Sequence, residues 1–175
     1  MAITKQKKQE ILKTTKERLA GTKSVVFVNF KGLTVGETKV LRRKLAEDNV
    51  GYFVTKKTLA KRVLAELGTK GEMPELEGEL AIAYLSASGN GADVLAPARE
   101  TYAFQTAVHD KGSIAIMGGI FDGEYKTKEE MMAIATIPSL HTLRGMFVNI
   151  INSPIQRFVI ALEEVRKQKE TGAAA

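Results

Sequence analysis

Apolar residues along this chain alternate between two spacings, which predict a succession of strands and helices. The stretch 4–20 repeats its apolar residues at helical spacing, and its other positions are mainly basic. Residues 24–30 form a continuous β-branched and aromatic run, which is typical of a buried strand. Shorter apolar runs at 52–54, 80–85 and 114–117 predict three more strands.

Helices are predicted between these strands from apolar spacing and from end signals. Thr34 and Glu37 have the three-residue separation of a capping box, which opens a helix that ends near Asn49. A second helix ends at Gly68, and a third covers 92–108. The alternation shows no internal repeat. We therefore expect an α+β fold whose order of elements resembles a ferredoxin-like α/β sandwich.

The last quarter of the chain is helical in pattern, with prolines at Pro138 and Pro154 that are expected to interrupt it. We expect the second interruption to act as a kink or hinge between two helices. The predicted boundaries give a globular α/β domain at 1–136, a helical linker at 137–153, a projecting amphipathic helix at 154–170 and a disordered tail at 171–175.

The terminal helix has an apolar stripe at helical spacing. Its members are Ile155, Phe158, Val159, Leu162 and Val165. A stripe of this kind either folds back on the chain's own core or binds a partner. The spacing alone leaves both alternatives open.

Charge is distributed unevenly along the chain. The whole sequence has a net charge of +6, but residues 1–62 hold 16 Lys or Arg against 5 Asp or Glu, a net charge of +11. The remaining 113 residues hold 10 against 15, a net charge of −5. A solvated surface normally mixes both signs, so this segregation predicts that a polyanion, most simply a nucleic acid, binds the N-terminal part.

Several classes of protein are disfavoured by the sequence. There is no cysteine, and the two histidines, His109 and His141, stand apart from any metal-binding motif, so no metal or cofactor is expected. No phosphate-binding glycine motif occurs, and the carboxylates of 72–79 lack an acid/base partner, so we expect no enzyme. The N-terminus lacks the apolar core of a signal peptide, and we expect no later segment to span a membrane. Both features favour a cytoplasmic protein.

Basic residues follow two of the predicted strands, beside the starts of helices. Lys31-Gly32 follows the first strand and Lys56-Lys57-Thr58 follows the second, where helix dipoles add to the positive charge. Any one of these lysines taken alone could be an ordinary surface residue, but together we expect one RNA-binding patch. The predicted RNA-binding residues are Lys5, Lys7, Lys8, Lys31, Gly32, Arg42, Arg43, Lys56, Lys57, Thr58, Lys61 and Arg62.

Short motifs resemble those of the bacterial large-subunit ribosomal protein ten family, which forms the base of the ribosomal stalk. The motifs lie at 29–34, 41–45, 55–59, 77–83, 117–123 and 137–139, and the resemblance also includes the terminal helix. There are three departures from the family pattern: Lys57 replaces an Asn, Met117 replaces a Lys, and the pair Leu140-His141 replaces an Arg-Glu pair. The resemblance covers nearly the whole chain.

The resemblance implies a function for each end of the chain. The N-terminal domain would bind large-subunit ribosomal RNA, with the neighbouring ribosomal protein eleven beside it. The C-terminal helix would project and receive dimers of the acidic stalk protein, of which we expect two, forming the lateral stalk that recruits translational GTPases. The chain would then be cytoplasmic and ribosome-bound. The alternative is a stand-alone RNA-binding regulator whose C-terminal helix packs in cis.

Overall fold

The computed structural model describes residues 5–86, 93–107 and 114–172. Helices are α1 (Lys5–Leu19), α2 (Val35–Glu47), α3 (Lys57–Glu66), α4 (Ala96–Ala107), α5 (Lys128–Ala135) and α6 (Leu140–Gly172). Strands are β1 (Ser24–Asn29), β2 (Val50–Val54), β3 (Ala81–Leu85), β4 (Ala115–Phe121) and β5 (Glu124–Lys126). The predicted α+β class is confirmed, and the chain divides into two compact units, Met1–Ile137 and Pro138–Ala175.

One sheet organises the first unit, with its strands in the order β2-β3-β1-β4-β5 and every neighbouring pair antiparallel. The first four strands with α2 and α4 follow the βαββαβ order of a ferredoxin-like sandwich. Helix α3 is inserted between β2 and β3, and β5 extends the sheet beyond β4. Strand β2 is therefore an edge strand.

The central strand β1 is buried on both faces, because helices cover the sheet from both sides. Val26 and Val28 pack with residues of α2, α4 and α5. Val25 and Phe27, on the other face, pack with residues of α1 and α3. Alternation along a strand sends successive side chains to opposite faces. The continuous apolar run seen in the sequence thus reflects a sheet between two layers of helices.

Capping boxes fix the starts of two helices. The Thr34 N–H donates to the Glu37 carboxylate (2.9 Å), and the Glu37 N–H donates to the Thr34 hydroxyl (3.3 Å), which confirms the predicted box. Thr127 and Glu130 form the same pair of hydrogen bonds at the start of α5. Each box satisfies backbone N–H groups that the helix itself leaves without acceptors.

Strand β5 was missed by the sequence analysis. It forms a hairpin with β4 across Asp122 and Gly123, whose φ values of 49° and 81° are both positive, as a two-residue type I′ turn requires. The strand has three residues, too few for an alternating pattern to be recognised. Helix α4 also begins later than predicted, at Ala96 rather than at position 92.

The predicted interruption of the terminal helix at Pro154 is wrong. Helix α6 runs from Leu140 to Gly172 with Pro154 inside it, so the predicted linker and terminal helix form one element. A proline lacks one N–H group and crowds the preceding turn, yet the hydrogen bonds on either side can continue the helix. The helix also includes positions 171 and 172, while 173–175 lie outside the described residues.

The expectation that no segment could span a membrane is also corrected. Within α6, Leu140–Lys169 is long and apolar enough to do so by length and composition, since it contains an 18-residue window with a mean hydropathy of 1.2. Asn149, Asn152 and Arg157 nevertheless fall near the middle of this stretch. An arginine at the centre of a bilayer costs roughly 2.5–3.5 kcal/mol on insertion scales, which disfavours insertion of this helix.

Candidate functional site

A large cleft lies on the face of the sheet covered by α1 and α3. It has a volume of about 990 Å³ and combines apolar, hydroxyl, basic and acidic side chains. Residues that line it are Lys7, Glu10, Ile11, Thr14, Thr15, Arg18, Phe30, Phe53, Val54, Thr55, Lys56, Lys57, Thr58, Leu59, Gly78, Glu79 and Leu80. Contributions therefore come from α1, the end of β1, the β2–α3 junction and the segment before β3.

A smaller cleft adjoins the large one and is more strongly basic. Its volume is about 210 Å³, and it is lined by Lys8, Lys56, Thr58, Leu59 and Arg62. Lys56, Thr58 and Leu59 line both clefts, so the two spaces share one wall. Three cations and a hydroxyl around so small a volume are groups that bind phosphate oxygens.

Packing of α1 on α3 explains why residues so distant in sequence meet here. Leu19 of α1 and Val63 and Leu64 of α3 belong to one apolar core. Near the C-terminal ends of both helices, the Lys16 ammonium contacts the Glu66 carboxylate at 2.8 Å. The N-terminal ends of both helices therefore lie at the same end of the body. Their partial positive charges add to the lysines around the clefts.

The start of α3 is unusual among the helices with defined caps. Lys56 stands at its N-cap without a side-chain hydrogen bond to the helix, and the first turn contains no acidic residue. Helices α2 and α5, by contrast, begin with a threonine cap and a glutamate in the first turn. Two lysines at a helix N-terminus oppose the helix dipole, which an anion bound nearby would offset.

Arginines pack on aromatic rings along the edge strand β2. The Arg18 guanidinium lies over the Phe53 ring, 5.4 Å from its centre, and the Arg42 guanidinium lies over Tyr52 at 5.7 Å. Burial raises the pKa of Tyr52, and the charge of Arg42 partly opposes that rise. Because Tyr52 and Phe53 are adjacent on a strand, the two arginines occupy opposite faces of the same sheet edge.

The structure brings half of the predicted RNA-binding residues together. Those that line the clefts are Lys7, Lys8, Lys56, Lys57, Thr58 and Arg62. Lys31 and Gly32 follow Phe30, which lines the large cleft, and Gly32 adopts the left-handed backbone (φ 89°). Lys61 is exposed on α3 but lines neither cleft. The side chain of Lys5 lies outside the described residues.

The remaining two predicted residues lie on the other layer of helices. Arg42 and Arg43 belong to α2, which packs on the opposite face of the sheet from α1 and α3. Arg43 is exposed, and its guanidinium lies 3.7 Å from the Glu47 carboxylate. The expected single patch would therefore have to continue around the β2 edge, where Arg42 covers Tyr52.

Sequence reasoning missed most of the residues that line the large cleft, among them Arg18, Phe30, Phe53 and Thr55. Arg18 lies on the same face of α1 as Lys7, Ile11 and Thr14, and that i, i+4, i+7, i+11 spacing could have identified it. Phe30 and Phe53 were assigned to buried strands. The hydroxyl oxygen of Thr55 is buried and has no hydrogen-bond partner within the described part of the structure, a feature that no sequence pattern reveals.

The apolar stripe of α6 is exposed along its length. The five predicted members are Ile155 (65% exposed), Phe158 (65%), Val159 (51%), Leu162 (54%) and Val165 (50%). Leu140, Phe147 and Ile151 continue the stripe toward the start of the helix and are 60–66% exposed. Within the described ranges, 5–86, 93–107 and 114–172, no group of three or more His, Asp or Glu side chains could hold a metal ion; His109 lies outside them.

Comparison with known proteins gives consistent matches. A family profile described as Ribosomal protein L10 matches residues 3–96. The Large ribosomal subunit protein uL10 of Shouchella clausii is 33% identical over 174 residues, covering 99% of this chain and all of the relative. Proteins of the same name from Bacillus cereus and Bacillus anthracis are 33% and 34% identical, covering 99% and 95% of this chain and 100% and 96% of the relatives. This chain therefore belongs to the ribosomal protein L10 family.

Proposed function

We propose that this protein binds large-subunit ribosomal RNA through the clefts between α1 and α3, and anchors dimers of an acidic stalk protein through α6. In this function the chain is a scaffold that connects the large subunit to a lateral stalk, which recruits translational GTPases. The observation that carries the RNA-binding part is the convergence of cations from α1 and α3 around two adjoining clefts. Catalysis belongs to the recruited partners.

Membership of the family establishes the general role of this chain. The chain is a structural, non-enzymatic ribosomal protein, as the absence of a catalytic motif in the sequence predicted. A ribosomal protein of a bacterial type works in the cytoplasm on the ribosome. Ribosomal protein eleven stays a proposed neighbour of the N-terminal body, supported by the family resemblance.

Ribosomal RNA offers a dense array of phosphates, and the clefts offer the groups that contact them. Lys8, Lys56 and Arg62 surround the smaller cleft with positive charge, and the N-terminus of α3 adds its N–H groups. Recognition of this kind depends on charge, so affinity should fall as salt displaces the protein from the RNA.

A charge-matched pair of triple variants tests the RNA surface. Lys56→Gln, Lys57→Gln and Arg62→Gln together should reduce the slope of log affinity against log salt by roughly 2–3 for a large-subunit ribosomal RNA transcript. The control triple is Lys23→Gln, Lys70→Gln and Lys128→Gln, all exposed and away from both clefts. Equal losses from the two triples would show that net charge alone drives binding, and would overturn the proposed surface.

The anchoring part of the proposal is supported by the exposed row from Ile155 to Val165. An exposed apolar row on one helix is the surface that an amphipathic partner helix buries. We expect two stalk-protein dimers from the length of the helix. The alternative, an RNA-binding regulator whose helix packs in cis, predicts that no acidic partner binds.

Co-expression with the acidic stalk protein separates these alternatives. Native mass spectrometry of the full-length chain should show a complex with two dimers, and a chain truncated after Asn152 should lose it. The truncated chain keeps the whole α/β body, so it should bind RNA as the full-length chain does. Measuring its RNA affinity is therefore the control for folding. Absence of a complex with the full-length chain would remove the stalk-anchoring role and leave the RNA-binding role standing.

A further inference from the structure

We propose that the large cleft receives one unstacked base of the RNA, and that the adjoining smaller cleft receives a phosphate of the same nucleotide. The inference rests on the RNA binding proposed above and specifies what part of the RNA this site recognises. The alternative is that the protein contacts only the phosphate backbone and that no base enters the cleft.

The lining of the large cleft is suited to a base. Its apolar members come from α1, from the ends of β1 and β2, and from the flanks of α3 and β3. They are Ile11, Phe30, Phe53, Val54, Leu59 and Leu80. The cleft, of about 990 Å³, is more than large enough to admit a base. Apolar walls stabilise the flat face of a base, whereas a phosphate gains nothing from contact with them.

Two carboxylates in the large cleft also favour a base over a phosphate. Glu10 and Glu79 line it among four cations, and their carboxylates accept hydrogen bonds that a phosphate, which has no N–H group, cannot donate. A carboxylate can instead accept a hydrogen bond from the exocyclic amine of adenine or cytosine. Thr55, whose buried hydroxyl has no partner among the described residues, lines the same space.

The smaller cleft has the opposite character. Its lining contains three cations and the Thr58 hydroxyl, and no acidic residue is among its described lining residues. Because Lys56 and Thr58 line both clefts, a base in the first would place a neighbouring phosphate close to the second. Arg18, held over the Phe53 ring, adds a planar guanidinium on which a base can stack.

Substitution of Thr14 tests base insertion without changing any charge. Thr14 lines the large cleft and is exposed on α1, so Thr14→Leu adds apolar volume to the cleft and should not disturb folding. We expect the affinity for a large-subunit ribosomal RNA transcript to fall roughly tenfold or more, the loss associated with one stacked base. The salt dependence should stay at its wild-type slope, because no phosphate contact is removed. The matched control Thr106→Leu makes the same change at an exposed position of α4 that lines neither cleft, and it should bind like the wild type.

Chemical probing of the same transcript gives a direct readout. With the wild type and Thr106→Leu, one adenine or cytosine should be protected from dimethyl sulfate, and Thr14→Leu should leave it reactive. Wild-type affinity for Thr14→Leu with no such protected base would overturn base insertion. If the Lys56, Lys57 and Arg62 triple still lowers the salt slope, that result leaves the proposed RNA surface intact. If the triple has no effect either, the RNA surface itself is wrong.

Discussion

Lys57 shows how binding and folding make opposite demands at one residue. It occupies the first position of α3, where its charge opposes the partial positive charge of the helix N-terminus. The same side chain lines the large cleft, where the negative charge of bound RNA would offset its own. Residues that break a local folding rule without another structural reason often belong to functional sites. Lys57 is also one of the positions that depart from the family pattern.

Neutralising Lys57 should therefore stabilise the free protein and weaken RNA binding. Lys57→Gln is expected to raise the free energy of unfolding by roughly 0.3–1 kcal/mol at low ionic strength, since an unfavourable charge–dipole interaction is removed. Its salt slope for RNA binding should fall by about 1. Urea denaturation and filter binding would measure the two effects. Lys57→Arg keeps the charge and should change neither; lower stability in Lys57→Gln would contradict the dipole argument.

Gly119 is required by close packing between β4, β1 and α5. A Cβ atom there would overlap the carbonyl oxygen of Val25 and press on the Met131 thioether. Gly119→Ala should consequently lower the free energy of unfolding by roughly 1–3 kcal/mol, the usual cost of overpacking. Gly36→Ala is the matched control, because its Cβ would meet nothing closer than the Thr34 hydroxyl at 3.9 Å in a helix. Thermal unfolding of both variants would compare them; equal melting temperatures would show that β4 can shift.

At the scale of elements, the capping box of α5 gives the stability a predictable pH dependence. Hydrogen bonds from the Thr127 backbone and then its hydroxyl lower the pKa of Glu130. A carboxylate with a lowered pKa in the folded state adds stability above its unfolded pKa. That contribution is lost as the pH falls through the lowered value. The wild type should exceed Glu130→Gln in stability at neutral pH, and the difference should disappear in acid.

Denaturation of the two proteins across the acidic range would measure this difference. Glu129→Gln is the control, since Glu129 lies in the same turn of α5 and carries the same charge. A gap that persists at the lowest pH would show that Glu130 stabilises α5 by packing and not by its charged hydrogen bonds.

Pro154 lies within α6 but is not a member of the stripe. Its replacement should therefore change the stability of the helix while leaving the residues that bind the stalk protein in place. Pro154→Ala should stabilise the local helix by roughly 3 kcal/mol, because it restores a backbone N–H and relieves crowding. Slower amide hydrogen exchange at 150–158 would measure this gain. Binding of the acidic stalk protein should be retained. Loss of binding would instead show that Pro154 itself is needed for the partner to dock.

Helices and strands with strong local signals could be predicted from the sequence. The capping box at Thr34 and the apolar run of β1 were recognised, because their signals are local. Strand β5 was missed since it depends on one hairpin turn, although Asp122-Gly123 is itself a turn signal. The break at Pro154 was predicted from proline chemistry alone, which the surrounding helix overrides.

Only part of the candidate site could be predicted, because sequence order conceals which helices meet. The lysines of α1 and α3 were each predicted to bind RNA, and the structure places several of them around the two clefts. Arg42 was placed with them, but the alternation of β1 puts α2 on the other face of the sheet. The aromatic and hydroxyl groups of the large cleft could not be identified from the sequence, because strand residues such as Phe53 are equally well explained as core residues.

At the scale of the whole molecule, the chain separates two kinds of surface into two compact units. Residues 1–62, with their net charge of +11, contribute nearly all of the cleft lining. The second unit contains α6, whose stripe is apolar and exposed. We expect RNA binding at the first surface to depend on charge, and stalk-protein binding at the second to depend on apolar contact. Salt should therefore weaken RNA binding and leave stalk-protein binding largely unchanged.

Separate surfaces predict that RNA and stalk protein bind without affecting each other. Phe158→Ser should reduce stalk-protein affinity at least tenfold, because it removes a large apolar side chain from the row. It should leave thermal stability and RNA affinity unchanged, since that side chain is 65% exposed. Arg157→Ser, one position away, is the control for the helix itself. Measured by titration with and without saturating RNA, the stalk-protein dissociation constant should not move. A shift in that constant would establish a coupling free energy between the two ends, and by reciprocity the stalk protein would then alter RNA affinity by the same factor.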